Sequence, residues 1–195
     1  MSRIVVSEYL DSLAIQANGR LAEGIGGMWG HTRGMTLEDD GDGLELDVVI
    51  EIPRGSFLKR GSTGHLDFVS PLPCPFNYGS IPDYLGLEGD LLDALVLGPR
   101  LAPGTRLRVK AWGAVTLIDR GMSDDKLVCA ATPPSTSQRL FVLAFFHFYA
   151  RCKALLNWWR HRPGRNACAG WRAADFAMSR ARPRPADWQG SPVTF

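Results

Sequence analysis

The 195-residue sequence predicts a mainly β (α+β) domain, a barrel or sandwich of short strands covered by one long helix. Two patterns lead there. Short β-type segments recur between residues 44 and 131, separated by clusters of turn formers. A stretch from Ser137 to Trp159 then runs without Gly or Pro and is dense in aromatic and aliphatic side chains, as a long helix requires. A composition of 45% hydrophobic and 22% charged residues is that of a globular chain with one core and some peripheral segments.

In chain order, residues 3–17 have the spacing of a short amphipathic helix, and GRLAEGIGGMWGHTRG then supplies six glycines that break any regular element. No strand precedes these glycines and the G-x-G-x-x-G spacing is absent, so they read as a loop and not as a phosphate cradle. In LELDVVIEIP, Leu44, Leu46, Val48 and Ile50 alternate with Glu45, Asp47, Val49 and Glu51 until Pro53 ends the strand. Further strands are expected at 65–70, 92–97, 105–118 and 126–131, with PLPCP, LGPRLAPG and DRGMSDD as connections and a turn at GSTG, 61–64. The helix of residues 137–159 takes Ser137 as its N-cap and should cover the sheet. Beyond it, RPGRNACAGW breaks the pattern and ARPRPADWQGSPVTF reads as a mobile, Pro-rich end. The plan is an N-terminal extension (1–45), a β domain with its helix (46–160) and an Arg/Pro-rich tail (161–195).

The balance of 22 basic and 20 acidic side chains says little by itself, but seven arginines between Arg160 and Arg184 face only Asp175 and Asp187 in the tail. No nucleic-acid motif accompanies them, so nucleic acid is not an expected partner. Cys74, Cys129, Cys152 and Cys168 form no C-x-x-C pair and read as reduced thiols; Cys74 shows no pairing with a histidine that would make it a nucleophile. Glu8 and Asp11 interrupt the apolar N-terminal residues as no secretory signal allows. The most apolar run, Leu140 to Ala150, has 11 residues against the roughly 20 that span a bilayer. A cytoplasmic protein without a membrane partner is the expectation.

Chemistry concentrates in GLEGDLLDALVL (86–97), where Glu88, Asp90 and Asp93 are set into an apolar segment. Two carboxylates about 5 Å apart repel by roughly 3 kcal/mol at an effective dielectric near 20, so three need compensating positive charge. Without nearby His or Cys, the acid cluster points to Mg²⁺. A second group, Asp119, Asp124, Asp125 and Lys126, lies in the turn IDRGMSDDKL. If these acids and Glu51 meet at one barrel mouth with Lys59 and Lys126, they make a polyphosphate site in which a water activated by metal is the nucleophile.

In this order of motifs the chain resembles the soluble, Mg²⁺-dependent inorganic pyrophosphatases. The motifs are VVIEIP (48–53), GSFLK (55–59), NYGSIP (77–82), EGDLLDALVL (88–97) and D-x-x-x-x-D-x-K (119–126). The central block is close to the family's D-G-D-P-x-D, with Glu88 for its first Asp and Leu91 for its Pro. The resemblance implies a closed OB-like β-barrel with a covering C-terminal helix, hydrolysis of pyrophosphate to two phosphates, and Mg²⁺ as cofactor. It makes Asp90 the general base and, with Glu88, Asp93, Asp119 and Asp124, part of the metal site, and it places Glu51 at an outer metal position. Lys59, Tyr78, Lys126 and Tyr149 become substrate-binding residues. Pyrophosphate and phosphate are the implied ligands, and a homo-oligomer is compatible with the family.

Three departures thin the rim of this site. The family's acid two residues after the Lys59 position is Gly61 here, its phosphate-binding arginine has Ser70 as nearest counterpart, and its lysine after the helix tyrosine is Ala150. Arg60 and Arg151 are the nearest replacements. Each lost contact to a charged group costs on the order of 1.5–3 kcal/mol. The alternative is therefore a degenerate member that binds or slowly hydrolyses another diphosphate-containing ligand.

Overall fold

Strands that alternate inward and outward residues need a closed wall to bury one face, and here they close on themselves. The computed structural model describes residues 43–60, 66–69, 73–161 and 164–190. The chain runs through β1 (Leu44–Ile52), β2 (Leu58–Arg60), β3 (Leu66–Val69), β4 (Asn77–Leu85), β5 (Leu91–Val96), β6 (Arg106–Asp119) and β7 (Met122–Ala130). It continues through α1 (Thr136–Trp159), β8 (Ala167–Arg172), α2 (Ala174–Arg180) and β9 (Arg182–Pro183). Strands pair in the order β1-β4-β5-β7-β6, and β1 pairs back with β6, giving the closed five-stranded barrel that the sequence predicts. β5 and β7 are parallel and the other barrel pairs antiparallel. β8 extends the far half of β6, and β2 and β3 form a separate hairpin.

The barrel interior is filled by Leu46, Val48, Ile50, Ile81, Leu92, Ala94, Val96, Val109, Ala111, Leu127 and Cys129. Burial alone pushes the Cys129 thiol up to about 12, so this cysteine is a packed apolar group. A second cluster lies on the outer face of the wall, where Ile52, Tyr78, Leu95, Val115, Leu117 and Val128 pack against Val142 and Phe146 of α1. By length and composition α1 is apolar enough to cross a membrane, but its Val142, Phe146, Ala150 and Asn157 side is buried. Its N-cap is Ser135, not Ser137: Ser135 Oγ accepts from the Gln138 N–H at 3.3 Å, and Gln138 returns a bond to the Ser135 N–H at 2.8 Å.

Two elements depart from the sequence expectation. Residues 77–85 are not among the expected strands, yet they form β4, and a Cβ on Gly79 would lie 2.0 Å from the Val49 carbonyl oxygen. Glycine is what lets β1 and β4 approach. Asn77, fully buried, accepts from the N–H groups of Arg54 and Leu101 and donates to the carbonyls of Val96 and Pro99, tying β4 to two loops.

The second departure is the tail. Residues expected to be mobile form β8, α2 and β9, and β9 pairs with β4. Ala177 of α2 is buried with the barrel-interior cluster, and Ala174, Met178 and Ala181 pack beside it. Arg180 pairs with Asp125 at 3.4 Å, whose other oxygen accepts from Thr116 Oγ1 at 2.6 Å. Arg172 and Arg180 also lie over Phe176, and Arg184 over Trp188, so several tail arginines serve packing. Replacing Arg180 by alanine leaves the buried Asp125 carboxylate short of its cation and is expected to cost about 1–3 kcal/mol in urea unfolding. The N-terminal helix and Gly-rich loop, the GSTG turn, Gly61 and Ser70 lie outside the described residues.

Candidate active site

Period-2 alternation selects the side chains of this site. On β7, Asp124 and Lys126 share the outer face while Asp125, between them, faces inward. On β5, Asp93 lies between the inward Leu92 and Ala94, and the parallel register sets it beside Lys126. On β4, Tyr78 and Ser80 share the face of Asp93. The acids therefore gather on the outer wall of the barrel, next to the patch that α1 covers, and not at the barrel mouth. The mouth is filled instead by apolar residues and α2.

Lys126 is the hub. Its Nζ donates to Asp93 Oδ2 at 2.5 Å, to the Tyr78 hydroxyl at 2.8 Å and to both Asp124 oxygens at 2.9 Å. The Tyr78 hydroxyl in turn donates to Asp93 Oδ2. Burial opposes the ammonium charge, but Asp124 and Asp93 outweigh it and hold the Lys126 pKa well above its ordinary value. Burial, then the Asp93 charge, raises Tyr78 as well, so it stays a protonated donor.

Glu88 reaches this hub from the turn before β5. The Gly86 N–H donates to the Asp90 carbonyl at 2.8 Å and the Gly89 N–H to the Gly86 carbonyl at 3.1 Å, with Gly89 at φ +86°. That left-handed conformation suits glycine. Glu88, Asp93 and Asp124 each bring a carboxylate oxygen within 4.8 Å of the others. Glu88 Oε2 is buried without a hydrogen-bond partner, and burial followed by the Asp124 charge pushes the Glu88 carboxyl up to about 8. Three converging carboxylates, all-oxygen donors and the orphaned buried oxygen of Glu88 fit a hard divalent cation.

This has a measurable consequence. Without metal, the folded protein keeps the Glu88 proton to about pH 8, whereas the unfolded chain releases it near the ordinary glutamate value of 4.5. Folding therefore binds a proton in that window, and stability contributed by Glu88 is lost as pH rises through it. In chelator, the melting temperature of wild type should fall from pH 5 to 8.5 more steeply than that of Glu88→Gln, and Mg²⁺ should flatten the wild-type curve. Parallel curves for the two proteins in chelator would contradict this.

The other sequence-assigned residues divide. Glu51 occupies a β-bulge between Ile50 and Ile52, which turns it towards Ser80, whose Oγ donates to Glu51 Oε1 at 2.6 Å. Asp90 is half-buried beside Glu88, with Oδ1 accepting from the Leu91 N–H at 2.8 Å, and it is not one of the three converging acids. Asp119 is not among them either: its Oδ2 is held by Lys153 Nζ at 2.6 Å, with Arg120 at 4.0 Å from Oδ1. Tyr149 stacks on Phe145 and meets Phe146 edge-on in the outer cluster. Lys59 lies on β2 at the register position facing Phe68. Arg151, a replacement cation by sequence, is exposed on α1. Ser80 and Lys153 carry no signal in the motif order, although Lys153 stands four residues after Tyr149 and so on its helix face.

Comparison with known proteins agrees with this arrangement. A family model described as inorganic pyrophosphatase matches residues 48–177. A soluble inorganic pyrophosphatase of Oryza sativa subsp. indica is 42% identical over 98 residues, covering 45% of this chain and 46% of that protein. An inorganic pyrophosphatase of Streptomyces coelicolor is 38% identical over 112 residues, covering 53% and 67%. The match thus spans about half to two thirds of the length of these curated relatives. A crystal structure of an inorganic pyrophosphatase from Neisseria gonorrhoeae superposes with a TM-score of 0.57 at 27% identity, covering 74% of this chain and 92% of that one. With β4, the acid-bearing β5 to β7 and the covering helix all inside the matched span, which is two thirds of the sequence, the chain belongs to the inorganic pyrophosphatase family.

Proposed function

We propose that the protein hydrolyses inorganic pyrophosphate to two phosphates with Mg²⁺ as cofactor. The observation that carries this is the convergence of Glu88, Asp93 and Asp124 on one point beside the buried Lys126. Mg²⁺ held by these three acids supplies neutralisation of phosphoryl oxygens and acidifies water. The chain's own residues do the rest. Lys126 and Tyr78 fix Asp93 and Asp124 in one arrangement, so the acids need little reorganisation when substrate arrives. The half-buried Asp90, two residues from Glu88, accepts the proton of the attacking water. The water oxygen bonds to one phosphorus, the bridging P–O bond breaks, and the bridging oxygen leaves with the second phosphate. Lys59 and Tyr149 bind phosphoryl oxygens, and Glu51 and Asp119 hold the outer cations. Cysteines held outside any disulfide suit a reducing cytoplasm.

Phosphate release from pyrophosphate, followed with and without Mg²⁺, tests the proposal. Turnover should require Mg²⁺ and fall roughly 10²–10⁴-fold in Asp90→Asn. Release no faster in wild type than in that variant would overturn it.

A further inference from the structure

We infer that Lys153, held by Asp119 at 2.6 Å, is a substrate-binding residue of this site; the inference rests on the pyrophosphatase reading above. Val142, Phe146, Ala150 and Asn157 define the buried side of α1, and Lys153 lies on that side at its junction with the acid end of the β6–β7 hairpin. Asp119 and Asp124 sit on the same face of this hairpin, one diagonal step apart, because Leu117 pairs with Asp124 and Asp119 with Met122. A cation on Asp119 therefore stands diagonally across the hairpin from Asp124, one of the three converging carboxylates.

Lys126 and Lys153 differ in what they are free to do. Lys126 is 6% exposed in its side chain, and its ammonium protons are committed to Tyr78, Asp93 and Asp124. Moving it to an incoming anion would strip two buried carboxylates of their cation. Lys153 is 29% exposed and, among the described residues, pairs with Asp119, a carboxylate that Arg120 also approaches. Its four-carbon stem lets the ammonium swing to a neighbouring phosphoryl oxygen, while a divalent cation or Arg120 takes over Asp119. The lysine that the family carries beside its helix tyrosine is Ala150 here, and that residue is buried. Lys153, one turn further along the helix, supplies the missing positive charge.

Binding of imidodiphosphate, a non-hydrolysable diphosphate, with Mg²⁺ provides a readout independent of turnover. Lys153→Met should weaken it roughly tenfold or more and raise KM for pyrophosphate in parallel, with Lys153→Arg recovering most of the loss. Arg151→Met, on the exposed side of the same helix, should leave binding within twofold. Imidodiphosphate binding by Lys153→Met within twofold of wild type, with only a lowered melting temperature, would reduce Lys153 to a structural partner of Asp119 and overturn the inference. If wild type binds imidodiphosphate through Lys153 yet releases no phosphate from pyrophosphate, the hydrolytic reading fails and the Lys153 assignment stands. If wild type does neither, both fail.

Discussion

Lys126→Met should destabilise the metal-free protein by about 3–5 kcal/mol, the range found when one partner of a buried ion pair is removed. The side chains are similar in length, so packing changes little and the loss is electrostatic. Lys126 is 4% exposed and is the cation shared by Asp93 and Asp124, with Glu88 close to both. Without it, three carboxylates remain within 4.8 Å of one another. Two remedies identify the cause. Mg²⁺ should recover a large part of the loss, because a divalent cation binds the folded cluster and not the unfolded chain. Adding Asp124→Asn should also recover stability, because removing one acid relieves the repulsion and makes the two substitutions strongly non-additive. Urea unfolding in chelator and in Mg²⁺ measures both. A loss below about 1 kcal/mol in chelator, or one that Mg²⁺ leaves unchanged, would show that Lys126 does not compensate these acids.

Much of this arrangement is legible in the sequence, and the parts that are not share a cause. β1 announces itself because it buries one face along most of its length, which is what period-2 alternation records, whereas β6 and β7 are buried on both faces over much of their length and show instead as short apolar runs between turn formers. β4 stays hidden because its Gly79 answers to the Val49 carbonyl of a neighbouring strand, a tertiary constraint with no local signature. α2 is seven residues long and α2 and β9 hold their places by filling the barrel end and pairing with β4, so their local propensity carries little information. The N-cap is a different case: Ser135 and Gln138 spell a capping box, and the signal was present two residues before Ser137. Within the site, the motif order found Glu88, Asp93, Asp124 and Lys126 together. It did not find Lys153, because a cation's value to the site depends on how α1 is rotated against the β6–β7 hairpin.

Asp93→Asn and Asp125→Asn should give opposite results, although both replace a carboxylate on adjacent strands of one barrel. Asp93 is on the outer face, where its Oδ2 receives the Tyr78 hydroxyl and the Lys126 ammonium and where it meets Glu88 and Asp124. An asparagine there can keep one oxygen on Tyr78 and Lys126 but replaces the other with an amide donor that cannot ligate a cation. The metal-binding set loses one of its three charges at the same stroke. Turnover of pyrophosphate should drop by about 10³-fold or more, on the order of 4 kcal/mol in the barrier. Stability should change little, because the lost attraction to Lys126 is offset by relieved repulsion from Glu88 and Asp124. Asp125 is directed to the opposite face, buried against Thr116 and Arg180. Its asparagine variant should unfold at lower urea while keeping turnover within about tenfold of wild type, as expected for a group that only supports the wall. Steady-state phosphate release and urea unfolding on the two variants decide the matter. If Asp125→Asn loses activity as deeply as Asp93→Asn at unchanged stability, the reacting groups face the barrel interior and the outer-wall site is wrong.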